Sequence, residues 1–279
     1  MTPRNSKPWR AVLAVAIFTW SASDAVAGWE AGAKAGFDTN LSRSINDGEG
    51  SGFLSAYGSY WKGHAGETRL DWTLAASVQG ASYFSLPDLD FAEATLAPGA
   101  TYILRPGWTA AVTPFLSGKA VRDSQQSAWT FGGRLDLSQK FQNGAYLGEY
   151  YVYTDSRANE DVYSYRENAA GAYVGMRWTP RVFTEAGYEF YRGDSFFSVR
   201  TTAVPPTGGG PGRGMRGYSP AFDAEVFKET VNAHAFSATA GVDWTRSWFS
   251  TVSGTYKTWN GGGETVSSSS AFAGIGYRF

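Results

Sequence analysis

From Trp29 onward, apolar and polar residues alternate with a period of two, the mark of strands with one face in an apolar medium and the other in a polar one. Leu70, Trp72, Leu74, Ala76 and Val78 alternate with Asp71, Thr73, Ala75 and Ser77. The same rhythm sets Trp129, Phe131, Gly133, Leu135 and Leu137 against Thr130, Gly132, Arg134, Asp136 and Ser138. It sets Phe236, Ala238, Ala240, Val242 and Trp244 against Ser237, Thr239, Gly241 and Asp243. No stretch reads as a long amphipathic helix. The pattern predicts twelve strands, near 29–38, 52–62, 68–81, 91–104, 108–121, 128–141, 145–155, 165–178, 181–192, 232–244, 247–259 and 265–279. Each has about the 9 to 11 residues, or slightly more, that a tilted strand needs to cross a bilayer. Pro98 and Pro114 fall inside the fourth and fifth strands, where each removes a ladder hydrogen bond, so a bulge, a kink or a shifted boundary is expected there.

The connections sort by length. Short turns fall at Gly63 to Glu67, Arg105-Pro106-Gly107, Gln142-Asn143-Gly144, Thr179-Pro180 and Thr245-Arg246, and longer polar loops at the opposite ends, including Asn40 to Ser51 and Gly193 to Val231. Two kinds of strand end imply two compartments, and an even strand number returns both termini to the same side. Trp61, Trp72, Trp108, Trp178, Trp244 and Trp248 lie within a few residues of the short turns, as an interfacial girdle would. A soluble sandwich would bury the apolar faces and gives no reason for the loop alternation.

Composition narrows the chemistry. Among 279 residues there is no Cys and there are only two His, which removes disulfides, thiolate catalysis and Cys-based zinc sites. No motif asks for a cofactor. The 24 basic and 25 acidic residues lack the basic excess of a nucleic-acid binder, so no nucleic-acid partner is expected. Arg4, Lys7 and Arg10, the apolar run Ala11 to Trp20, and Ala25-Val26-Ala27 before Gly28 read as a signal peptide over 1–27, followed by one domain over 28–279.

At the C-terminus, Ala271, Ala273, Ile275, Tyr277 and Phe279 alternate with Phe272, Gly274, Gly276 and Arg278. This resembles the closing strand of the Gram-negative outer-membrane β-barrel superfamily, and with the signal peptide and strand pattern the resemblance covers the whole of 28–279. It implies an all-β, up-and-down antiparallel transmembrane barrel of about twelve strands, porin-like, in the bacterial outer membrane. It also implies that Tyr277 and Phe279 form the signal read by the barrel assembly machinery, and that outer-membrane lipid is a partner. Members of this size include channels, autotransporter translocators and a phospholipase. More loosely, Gly36-Phe37-Asp38-Thr39-Asn40 is similar to strings in barrels attached to export or electron-conduit systems.

With the apolar parity facing lipid, the opposite parity places charges of both signs in the lumen. The expected pore-lining residues are Lys34, Arg69, Asp71, Glu93, Lys119, Arg134, Asp136, Glu149, Arg177, Glu185, Glu189 and Lys257, with Glu30, Asp38, Lys140, Asp243 and Arg278 on the same parity. Twelve tilted strands enclose a backbone cylinder of roughly 12 Å radius, wide enough for ions and small hydrophilic solutes. Paired charges could equally fill it as structure. Antiparallel closure of the last strand on the first brings Arg278 close to Glu30, and an ion pair is expected there.

The favoured function is a passive channel for ions or small hydrophilic solutes. One reading of the glycine- and proline-rich loop 193–231 makes it a constriction loop, with Arg213 and Arg216, beside Arg200, screening anions; the other makes it a surface loop. Asp38, Asn40, Asp47 and Glu49 could hold a hard cation, or serve turn formation and solvation. A barrel phospholipase would need a Ser-His pair on the lipid face, whereas His234 and Ser237 have opposite parity. A third possibility is a non-conducting scaffold or sheath for a separate periplasmic or surface protein.

Overall fold

The computed structural model describes residues 27–45, 48–64, 69–200 and 216–279. The segment read as a signal peptide lies outside them apart from Ala27. The strands are β1 (Gly28–Asp38), β2 (Ser51–His64), β3 (Leu70–Tyr83), β4 (Phe91–Arg105), β5 (Trp108–Val121), β6 (Ala128–Lys140), β7 (Ala145–Ala158), β8 (Tyr165–Arg177), β9 (Val182–Val199), β10 (Arg216–Ser219), β11 (Ala224–Asp243), β12 (Trp248–Gly261) and β13 (Glu264–Arg278). Each barrel strand pairs antiparallel with the next along the chain, β9 pairs with β11, and β13 returns to pair with β1. Twelve strands therefore close into one barrel, and the short β10 sits on the edge of β11 above it. Closure follows from the solvent: an open sheet edge would leave amides and carbonyls unpaired in hydrocarbon, at several kcal/mol each.

The period-two pattern appears directly as sidedness. Leu70 is 58% exposed, Val78 60%, Leu135 53% and Val252 60%, all on the outer parity, where the exposure is to lipid. Trp29, Trp72, Trp178, Trp244 and Trp248 are also exposed on that face near the lower turns, where the indole N–H groups of Trp178 and Trp244 donate to the hydroxyls of Thr184 and Ser250. Trp61 departs from the expected girdle. It pairs across from Gly28 on the inner parity, and its ring lies where a Cβ on Gly28 would be.

Glu149 is the second departure. Its cross-strand partners Leu137 and Ala172 face outward, so Glu149 does too, four residues above the lower end of β7. The sequence misleads here because Tyr146 to Tyr153 alternates weakly, with aromatic residues on both parities.

Pro98 and Pro114 produce neither a bulge nor a shifted boundary. They fall opposite one another: β4 and β5 are paired at Leu96/Leu116 and again at Ala100/Val112 in the same register, the ladder lapsing between; the register shifts only lower down, between Ile103 and Arg105. Two residues without N–H donors share one gap, and both point outward.

The loops also differ from expectation. The predicted loop 193–231 carries sheet at both of its ends: β9 runs to Val199 and β11 begins at Ala224, forming a ribbon that rises above the other strands. The upper turn between β12 and β13 is a tight one, with Gly262 and Gly263 at φ of 59° and 85°. Three short upper loops each contain a one-turn 3-10 helix, at Pro87–Leu89, Ser124–Gln126 and Asp161–Tyr163.

The seam between the first and last strands carries the expected ion pair. Glu30 faces Arg278 in the register, with Nε to Oε2 at 3.3 Å, and Arg278 Nη1 also donates to Asp243 at 2.8 Å. Tyr57 donates to Glu30 at 3.0 Å, and the guanidinium lies 4.1 Å from the Phe249 ring centroid.

Two outcomes are expected from these placements. Leu135→Arg should lower the unfolding free energy in urea by about 2–4 kcal/mol, whereas Glu149→Leu, at the edge of the lipid belt, should leave it unchanged or raise it by up to about 1 kcal/mol. Arg278→Ala leaves two acids facing each other. It should cost about 1 kcal/mol after allowance for solvent screening, read as a lower temperature for the heat-modifiable shift on gels, and Glu30→Gln in the same chain should recover part of it.

Candidate functional site: the lumen and its closure

The inner face is built in tiers. At the lower rim, Arg177 lies 3.6 Å from Asp243 and joins the Arg278–Glu30 group. Arg69 precedes β3 and is exposed at this rim. Midway up, Arg134 binds Asp136 on its own strand through Nε and Nη2, at 2.9 and 2.7 Å, and lies 4.0 Å from the Tyr150 ring. Tyr150 donates to Glu189 at 2.8 Å and Tyr146 to Glu185 at 3.1 Å, with Tyr173 packed beside both rings. Lys34 stands over the rings of Tyr57 and Phe272, and Asp71 shares the inner parity of β3. Higher up, Gln79 donates to Glu93 at 2.9 Å, Lys119 lies over Phe91, and Lys257 lies over Tyr191.

The structure thus places Lys34, Asp71, Glu93, Lys119, Arg134, Asp136, Glu185, Glu189 and Lys257 on the inner wall, Arg177 and Arg69 at its lower rim, and Glu149 outside. Arg216 is exposed on the upper hairpin in an ion pair with Glu225 at 3.2 Å. Arg213 lies outside the described residues. Arg200 pairs with Glu49 and Asp38 accepts from Ser268 at 2.6 Å, so these acids are committed to neighbours, and no cluster of metal ligands exists among the described residues. Asp47 lies outside them. His234 faces outward, its Nδ1 2.8 Å from the Tyr188 hydroxyl, and Ser237 is on the opposite parity.

Aromatic residues are the part of the lumen that charge counting misses. Tyr57 faces Gly32, Tyr150 faces Gly171, Tyr146 faces Gly175, Tyr173 faces Gly148 and Phe249 faces Gly276. In each pair a Cβ on the glycine would overlap the ring, so the ring lies flat along the wall. The signal was available in the same inward parity that identified the charges.

Among the described residues, two apolar clusters crowd the upper end of the barrel. An apolar cluster of Tyr191, Phe197, Phe227, Val231, Ala233, Trp259 and Val266, with Ala169, lies beneath the mouth. A second, formed by Leu86, Leu89, Val162, Tyr163, Phe222, Ala224 and Val226, covers the other face of the β9–β11 ribbon. Burial there pushes the Tyr163 hydroxyl up to about 12. The small loops are bonded in series: Asp123 N–H donates to Asp88 O, Asn159 N–H to Ser127 O, Glu160 N–H to Gln125 O, and Lys228 Nζ to Asp161 O.

The first loop joins this closure from the side. Asn40 organises it, donating from Nδ2 to Ser44 O and Ser267 O while its Oδ1 accepts from Ser44 N–H. Ser44 then forms a parallel bridge with Ser198 of β9, and Ile45 N–H donates to Ser198 O. Arg43 adopts φ of 49°, a left-handed conformation that costs a non-glycine residue about 1 kcal/mol. Its guanidinium donates to Ser195 Oγ and lies 4.8 and 5.2 Å from the centroids of Phe196 and Trp259.

No protein-family model matches the chain, and no curated protein sequence matches it. Solved structures do. An outer-membrane channel from Pseudomonas putida F1 superposes with a TM-score of 0.59 at 10% identity, covering 96% of this chain and 100% of that one. The beta domain of the Bordetella autotransporter BrkA gives 0.46 at 11%, covering 92% and 100%. The KdgM porin in complex with disordered oligogalacturonate gives 0.45 at 8%, covering 90% and 99%. At 10% identity the likeness to the Pseudomonas channel is one of fold alone, a closed antiparallel barrel.

Proposed function

We propose that the protein is a channel of the bacterial outer membrane through which ions and small hydrophilic solutes diffuse passively. Lys34, Asp71, Glu93, Lys119, Arg134, Asp136, Glu185, Glu189 and Lys257 line the path and tune its selectivity, with Arg177 and Arg69 at the periplasmic entrance. Tyr277 and Phe279, on the outer face of the closing strand with ring centroids 4.8 Å apart, serve as the assembly signal.

One observation carries the reading: the ion pairs and carboxylate hydrogen bonds of the lower and middle lumen run along the wall. Arg134 and Asp136 share a strand, Glu30 and Arg278 sit on adjacent strands, and Tyr150–Glu189, Tyr146–Glu185 and Arg177–Asp243 each span two neighbouring strand spacings. A lumen filled as structure would instead be expected to tie opposite walls together. The apolar cluster beneath the mouth favours a second reading, a non-conducting scaffold that serves a separate partner protein.

Purified, refolded protein in planar bilayers separates the two. Discrete, steady current steps are expected, and Arg134→Ala, which frees Asp136, should move the reversal potential toward cation selectivity. Silence from protein that retains its heat-modifiable gel shift would sink the channel reading in favour of the scaffold.

A further inference from the structure

The long glycine-rich segment is the conspicuous candidate for a constriction, yet the contacts point elsewhere. Residues 40–45 leave the top of β1 and end on β9, which in the ring lies beyond β13, β12 and β11. The segment is held at both ends, by Asn40 on Ser267 of β13 and by Ser44 and Ile45 on Ser198 of β9. Leu41 packs on the upper apolar cluster and Ile45 on the lower one, so the segment runs between the two layers that close the mouth. A chord of chain held in this way crosses the route that any solute entering from outside must take.

We propose that residues 40–45 form a strap across the extracellular mouth and that Arg43 is the residue at which solutes are selected. The proposal rests on the channel reading above and names its narrowest point. Three features single out Arg43. Its backbone is left-handed without being glycine, which persists only where the surroundings hold it. Its guanidinium is wedged between Phe196 of the ribbon and Trp259 of β12, elements that the strap must bridge to close the passage. Its hydrogen bond goes to the neutral Ser195 hydroxyl, so no carboxylate neutralises it through a direct ion pair among the described contacts. A fixed positive charge clamped between aromatic faces where the route is narrowest favours small anions over cations.

The chain has no cysteine, which makes the test clean. Arg43→Glu and Arg43→Lys are compared with wild type in planar bilayers, each first shown to keep the heat-modifiable gel shift. Separately, Ser44→Cys with Ser198→Cys, a bridged pair in the structure, locks the strap on oxidation and frees it on reduction. Arg43→Glu is expected to shift the anion-to-cation permeability ratio by roughly threefold or more toward cations, while Arg43→Lys keeps the wild-type sign. The oxidised pair is expected to conduct with the wild-type permeability ratio, because the bond fixes the strap where it already lies. A permeability ratio unmoved by Arg43→Glu in a conducting protein, or an oxidised pair that conducts but loses the wild-type ratio, overturns the strap and leaves the channel standing. Absence of current from wild type and from every variant overturns both.

Discussion

A strand that crosses hydrocarbon carries amides and carbonyls that lipid cannot satisfy, and every other feature of this protein follows from that constraint. The sheet must close, so β13 must meet β1, and a register fixed at that seam fixes which side chains share a height on neighbouring strands. Once the register is set, alternation does the rest: a residue faces lipid or lumen by parity alone, and the two populations differ in chemistry as sharply as the two media do. The ion pair between Glu30 and Arg278 marks the seam, reinforced from the side by Asp243 and Tyr57.

Much of this was legible in the alternation itself. Strand number, closure, the seam pair and the inner placement of residues such as Lys34, Arg134 and Glu189 come from a two-residue period that is strong wherever Leu, Val or Ile opposes a charge. The reading fails where that contrast fades. Around Glu149 aromatic residues occupy both faces and parity cannot be told from hydropathy; the register with Leu137 decides it. Trp61 lies near a turn, but its direction is set by its pairing with Gly28. The prolines looked like separate defects because their opposition is a property of the β4–β5 register, which single-strand patterns do not contain.

The closure of the mouth was the least legible part, for a related reason. Apolar residues at the upper ends of β9 and β11, such as Phe197, Val226 and Phe227, are buried among residues distant in sequence, and their strand pattern does not say what covers them. Arg43 stands among Asn, Ser and Leu residues that announce only a turn. Its importance depends on Ser195, Phe196 and Trp259, which lie more than 150 positions away along the chain, and no local pattern encodes that meeting.

The flat rings opposite inner glycines carry one more consequence. A tyrosine standing upright from a wall would reach toward the axis, whereas one reclining over a missing methyl group adds little more than the thickness of its π-system. Tyr57, Tyr146, Tyr150 and Tyr173 thereby act as panelling: they shield backbone from water while their hydroxyls still project sideways to the carboxylates or a serine hydroxyl. The calibre of the bore is thus governed by atoms that glycine leaves out, and a barrel of this strand count keeps free cross-section that bulkier neighbours would have consumed.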